Sequence, residues 1–168
     1  MSKIAVVTDS AACLPAELVR QYDIHVIPYG LIWDNEVFLD GVNITPEEFY
    51  QRFVHSSTYP TTSQPAMQDF LSVYTRLVQE EGVNGIVSIH VPQEVSGTID
   101  QARLAAREMA PIPVRVIDSR TATIAEGFIV LAAARVAAAG GSLEEVVAAA
   151  KAMIPRVNFF ATLTNLEH

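Results

Sequence analysis

Short apolar runs alternate along this chain with longer stretches whose apolar residues return every three or four positions. Lys3-Ile4-Ala5-Val6-Val7 is apolar at each position after the lysine. That predicts a strand buried on both faces, as in a parallel sheet. It runs out in Thr8-Asp9-Ser10, and Pro15 then opens a helix carrying Leu14, Leu18 and Tyr22 on one face. Ile24-His25-Val26-Ile27-Pro28 is a second strand. Leu31 to Leu39, polar at Asp34-Asn35-Glu36, predicts a hairpin or an extension of that strand. Thr45-Pro46-Glu47-Glu48 is a capping box with proline at the first helical position, and its helix carries Phe49, Phe53 and Val54. Thr61-Thr62-Ser63 is expected to open the next helix, whose stripe is Met67, Phe70, Leu71, Tyr74, Leu77 and Val78, stopped by Gly82.

Gly85 to Ile89 is another buried strand. Beyond it Ile99, Ala102, Ala106 and Met109 have helical spacing, so Ser96-Gly97-Thr98 falls where a strand hands over to a helix. Ser96 is the candidate N-cap there. Val114 to Ile117 is a further strand, ending in Asp118-Ser119. A long helix from about Ala122 to Ala139 closes at Gly140-Gly141. Ser142-Leu143-Glu144-Glu145 is a second capping box, opening a helix to Ile154, and Val157 to Leu163 reads as a last strand.

This alternation predicts the α/β class: a mostly parallel sheet flanked by helices. In open sheets of that kind ligands gather outside the carboxyl ends of the strands. The rule puts Thr8-Asp9-Ser10, Ser96-Gly97-Thr98 and Asp118-Ser119 on one edge, with Thr61-Thr62-Ser63 able to reach it. That edge is lined by hydroxyls and helix N-termini, which favour an anion.

Composition narrows the function. At 168 residues, 50% hydrophobic, the chain is long enough for a real core and too apolar for a disordered segment. No apolar run approaches the ~20 residues of a membrane span. The opening Met-Ser-Lys-Ile enters a strand without a signal-peptide pattern, so the expected location is cytoplasmic. Cys13 is the only cysteine, which excludes an internal disulfide and argues against a thiolate metal cluster. The net charge is −8, with scattered arginines, and there is no basic stripe for nucleic acid.

Familiar reactive sites are missing from the sequence. It has no G-x-G-x-x-G, no G-x-x-x-x-G-K-[ST], no H-E-x-x-H and no C-x-x-C. His25, His55, His90 and His168 show no metal-ligand spacing. His90 ends a strand near the edge and could orient a ligand, though a structural role is favoured. Asp9 and Asp118 could form a carboxylate pair, but capping of neighbouring N–H groups is favoured. Glu94-Val95-Ser96-Gly97 is not a nucleophile elbow. Cys13, beside Leu14, is expected to be buried and inert. No catalytic residue, metal or cofactor is expected. What remains is binding of a single carboxylate by hydroxyls and backbone N–H groups, with an apolar remainder buried elsewhere.

Taken together the motifs resemble those of the DegV family of bacterial fatty-acid-binding proteins. The stretches are Val7-Thr8-Asp9-Ser10, Asp40-Gly41-Val42-Asn43-Ile44, Thr62-Ser63-Gln64-Pro65, Ser96-Gly97-Thr98 and Val116-Ile117-Asp118-Ser119. They occur in family order over essentially the whole chain. The resemblance implies an α/β domain joined to a smaller α+β domain, with a long-chain fatty acid held between them by its carboxylate. Both hydroxyl stretches are expected to open helices, and the resemblance brings them to one spot: Thr62 and Ser96 are then side-chain ligands of the carboxylate, with Ser63 beside them and Gly97 and Thr98 supplying N–H groups, Thr98 with its hydroxyl as a further donor. The resemblance implies a non-enzymatic protein that presents the acid to a separate fatty acid kinase subunit, and a transient membrane contact for lipid exchange. Ala66 stands where a family serine often follows Gln-Pro, and Ile99 where a tyrosine often follows Ser-Gly-Thr. The resemblance also implies roughly a hundred further residues beyond the given chain, a domain-sized unit. Residues 1–155 are then expected to form the head-group-binding domain and 156–168 the first strand of the next, with Leu166-Glu167-His168 either native or tag-derived. The alternative is a small-molecule kinase or phosphotransfer subunit on a related fold, which would use His90.

Overall fold

In the computed structural model, which describes residues 3–162, the apolar runs become the central layer. Strands β1 (Ile4–Asp9), β2 (Ile24–Ile27), β6 (Gly85–His90) and β7 (Val114–Asp118) form one parallel sheet in the order β2-β1-β6-β7. The other three strands form a separate antiparallel sheet, β4-β3-β5, from β3 (Gly30–Trp33), β4 (Glu36–Leu39) and β5 (Thr61–Ser63). The α/β class and the helix-flanked parallel sheet expected from the pattern are what the structure shows.

Alternation along β1 divides two cores. Ile4 and Val6 face α5 (Thr123–Ala138) and α6 (Leu143–Met153), with α1 (Ala16–Gln21) packed alongside through Leu18 and Val19. Ala5 and Val7 face α3 (Met67–Gln79) and α4 (Thr98–Glu108). Helix α5 is apolar nearly all round because the sheet and α6 both cover it; Ile129, Val130, Ala133 and Ala134 are fully buried. The small sheet is closed by α2 (Pro46–His55), whose Phe49 ring packs at a tilt, 5.3 Å from that of Trp33. Arg52 lies over the rings of Trp33 and Phe38. Both expected capping boxes form: Thr45 accepts from Glu48 N–H at 3.2 Å, and Ser142 from Glu145 N–H at 3.3 Å.

Three local expectations are corrected. Thr61-Thr62-Ser63 does not open a helix; it is β5, paired antiparallel with Gly30, Leu31 and Ile32. Gln64 precedes Pro65, which disfavours helical backbone, so α3 starts only after Ala66, whose N–H is capped by Asp69 at 2.8 Å. Ser96 is not the N-cap of α4; Gly97 is. The N–H groups of Val95 and Ser96 both bond back to Pro92 C=O, so the turn before the helix consumes Ser96. Residues 157–162 make no strand in the structure; a strand needs a hydrogen-bonding neighbour, and no ladder forms there. The rest of that expected strand, and Leu166-Glu167-His168, lie outside the described residues.

The sheet order places a topological switch point between β1 and β6. From β1 the chain steps outward to β2, then crosses back to β6 and on to β7. The crevice beyond the carboxyl ends of β1 and β6 is where such sheets take ligands.

Candidate hydroxyl site at the switch point

Asp9 and His90 end the two strands that flank the switch point, and they bond directly: His90 Nδ1 lies 2.8 Å from Asp9 Oδ2. Both are fully buried. His90 Nε2 is 2.6 Å from Ser88 Oγ, which also accepts the Tyr74 phenol at 2.8 Å. Burial pushes the Tyr74 phenol well above its ordinary value. The Phe70 ring stands edge-on to the imidazole at 5.1 Å. Ser88, His90 and Asp9 thus carry the connectivity of a Ser-His-Asp triad. Ser88 is fully buried under Tyr74, so no substrate can reach its hydroxyl. The structural role favoured for His90 is the one it has: it joins β1 to β6. Asp9 also caps the turn at Ser10–Ala12 by accepting Ala11 N–H at 3.0 Å. Asp118 caps Arg120 N–H at 2.7 Å.

Above this frame sits a cluster of three hydroxyls. Tyr29 follows β2 and its N–H bonds to Ser10 Oγ at 3.1 Å. Its phenol donates to Ser96 Oγ at 3.0 Å and lies 2.5 Å from Thr98 Oγ1. Ser96 Oγ and Thr98 Oγ1 are 2.8 Å apart, and Ser96 Oγ also accepts Thr98 N–H at 3.3 Å. Thr98 is fully buried, whereas Tyr29 and Ser96 are half-buried. No Lys or Arg side chain bonds to the cluster among the described residues. Burial raises the Tyr29 phenol, opposed by its two hydroxyl partners and reinforced by the negative charge of Asp9.

Two segments distant in sequence converge here. A Cβ built on Gly97 would lie 2.7 Å from Gln64 Oε1, so the Gln64 side chain lies against that glycine. Met67 N–H bonds Gln101 Oε1 at 3.2 Å, tying α3 to α4. The Thr62-Ser63-Gln64 stretch is therefore held beside Ser96-Gly97-Thr98. Within β5 the two hydroxyl residues diverge, because successive side chains point to opposite faces. Ser63 Oγ lies over Gly30, where any Cβ would collide with it, while Thr62 pairs with Leu31. Both are exposed.

Glu126 and Tyr29 escaped the sequence reading. Glu126 is fully buried on α5, and its Oε1 accepts the Thr8 hydroxyl at 3.4 Å. Its Oε2 has no partner. Burial first, then the charge of Asp9, pushes its carboxyl up to about 10, against the Thr8 bond, so it carries a proton at neutral pH. The signal was present: Glu126 is the lone acid in a helical run whose one other charged residue is Arg135. Cys13 is exposed, not buried as expected, because its backbone turns left-handed at φ 48° and ends the Ser10–Ala12 turn. Its thiol is nonetheless raised, by desolvation and then by Asp40, Glu126 and Asp9, which disfavours the reactive thiolate.

An open cleft of about 660 Å³ lies at the start of α5, lined by Ile124, Phe128, Met153, Val157, Phe159 and Phe160 among others. Elsewhere Asp23, His25 and Glu81 offer metal-type ligand atoms within 4.8 Å of one another. Glu81 is already paired with Lys3 at 3.0 Å and Arg76 at 2.7 Å, two cations that compete with any metal. No helix of the described residues is long and apolar enough to cross a membrane.

Comparison with known proteins agrees with the fold. The model of the family described as "Uncharacterised protein, DegV family" matches residues 3–168. A DegV domain-containing protein of Mycobacterium bovis is 36% identical over 98% of this chain and 56% of its own length. One from Streptomyces coelicolor is 40% identical over 88% of this chain and 52% of its own. The chain thus spans about half the length of the curated relatives it matches. Among solved structures, DegV of Bacillus subtilis, described as a fatty acid binding protein, superposes with a TM-score of 0.84 at 31% identity, covering 92% of this chain and 55% of that one. A Thermus thermophilus protein, described by its fatty acid binding, gives a TM-score of 0.80 at 34% identity, covering 91% of this chain and 54% of the other.

Proposed function

The chain belongs to the DegV family, and from that premise we propose that it binds a long-chain fatty acid, with the carboxylate at the Ser96–Thr98 hydroxyl cluster. One observation carries the reading: half-buried hydroxyls converge at the N-terminus of α4, unaccompanied by any bonded cation, in the fold of proteins described as binding fatty acids. Hydroxyl and N–H donors without a cation suit one carboxylate better than a polyanion. Thr62 is the second side-chain ligand, because Gln64, two positions on, reaches Gly97. Ser63 is the weaker candidate, since its hydroxyl turns to Gly30. Gly97 supplies a backbone N–H group, while the Thr98 N–H, which bonds Ser96 Oγ at 3.3 Å, acts through that hydroxyl. The acyl tail needs apolar walls, and the cleft along Ile124, Phe128 and Phe160 is of the size of small-molecule sites, roughly 300–1,000 Å³.

The same reading makes the protein a carrier without catalysis of its own. It presents the bound acid to a separate kinase for acyl phosphate formation and meets membranes transiently for exchange. The phosphotransfer alternative loses its reactive histidine: both ring nitrogens of His90 are engaged and its side chain is fully buried. The test is affinity for palmitate in the full-length protein. Ser96→Ala or Thr62→Ala removes a hydrogen bond to a charged acceptor, about 1.5–3 kcal/mol, and affinity falls roughly tenfold to a hundredfold. Stability falls by no more than ~1 kcal/mol. Unchanged affinity in both variants refutes the site.

A further inference from the structure

We propose that Tyr29 is itself a ligand of the carboxylate, donating its phenol proton to one oxygen while Ser96 serves the other; this rests on the reading of the hydroxyl cluster just given. The argument is a count of protons. The three hydroxyls bring three protons, and their mutual distances of 3.0, 2.5 and 2.8 Å let them close a ring in which each donates to the next. Without a ligand that ring satisfies all three. Thr98 is fully buried, so its proton has nowhere to go except to Tyr29 or Ser96. Tyr29 and Ser96 are half-buried and can turn theirs outward.

An arriving carboxylate opens the ring. Thr98 keeps donating to the Tyr29 oxygen, and its N–H keeps donating to Ser96 Oγ. Each outward hydroxyl is then backed by a donor behind it, which strengthens the hydrogen bond it gives. The Tyr29 and Ser96 oxygens are 3.0 Å apart, so the two oxygens of one carboxylate can each take a proton. Tyr29 is held for the task at both sides of its backbone: its N–H by Ser10 Oγ, and its C=O by Asp40 N–H at 3.0 Å. Its raised ionisation keeps the phenol a donor where a free phenol would begin to lose its proton.

Tyr29→Phe deletes the one oxygen and keeps the ring. In the full-length protein, palmitate and hexadecanol are compared by fluorescence displacement in the wild type, Tyr29→Phe and Ser96→Ala. The alcohol offers a single oxygen and needs only one donor. The expected result for Tyr29→Phe is about a tenfold loss for palmitate, the size of one bond to a charged acceptor, with hexadecanol nearly unchanged. Palmitate binding unchanged in Tyr29→Phe, or an equal loss for acid and alcohol, overturns the proposal. If Ser96→Ala weakens palmitate while Tyr29→Phe does not, only the role of Tyr29 falls. If neither variant changes palmitate binding, the carboxylate site falls with it.

Discussion

Glu126 shows how much one residue can carry. Its carboxyl keeps a proton in the folded chain up to about pH 10, whereas the unfolded chain releases it near 4.5. Between those values the folded state holds the extra proton, so stability falls as pH rises. The contribution is whole below the unfolded value and is lost progressively toward the folded one, at a limit of about 1.4 kcal/mol per pH unit. Glu126→Gln keeps the shape and the neutrality and removes this slope. Urea denaturation between about pH 7 and pH 9 is expected to show the wild type losing stability more steeply than the variant. Parallel curves would mean that Glu126 is ionised in the fold. At this same scale Ser96, Gly97 and Thr98 were legible, because hydroxyls at a strand-to-helix junction announce themselves. Tyr29 was not. Its phenol reaches across 67 positions of sequence to Ser96, and nothing local to Pro28-Tyr29-Gly30 says where it will point.

Elements were legible wherever local chemistry and burial agree. The two capping boxes are the clearest case, and their consequences should differ. Helix α6 buries Leu143, Val146 and Ala150 in the larger core, while α2 has no buried residue. Ser142→Ala is therefore expected to lower global stability by ~1 kcal/mol. Thr45→Ala should leave the urea midpoint almost unmoved and instead speed amide exchange in the first turn of α2. Equal shifts in the two midpoints would show that α2 unfolds only with the whole domain. Thr61-Thr62-Ser63 was misread because hydroxyl residues ahead of an apolar stripe look like a helix start. What decides the matter is β3, thirty positions upstream, whose open edge takes these residues as a strand. Ser96 was misplaced by a single position, since the Pro92 turn that displaces it leaves no periodic trace.

At the scale of the molecule, the order β2-β1-β6-β7 was not written in any one run; only the class was. The order matters because it brings Asp9, His90, Tyr29 and Ser96 to one crevice. It also leaves an apolar face open at the start of α5. Phe160 is 89% exposed, Phe128 51% and Ile124 43%, in a chain that otherwise shows an acidic surface. Burying such side chains is worth about 25 cal/mol per Å², so two copies gain by covering them against each other. The net charge of −8 opposes that approach, and salt screens the opposition within a Debye length of about 10 Å at 0.1 M. Residues 1–168 expressed by themselves are thus expected to gain apparent mass with concentration in light scattering, and more steeply at high salt. Phe160→Asp puts a like charge on the face and should hold the chain monomeric under both conditions. A wild-type chain that stays monomeric throughout would show that this face is too shallow or too divided to pair. Association that persists in Phe160→Asp would move the contact to another exposed apolar group, such as Val37, Val42, Tyr50 and Val54 around the small sheet and α2.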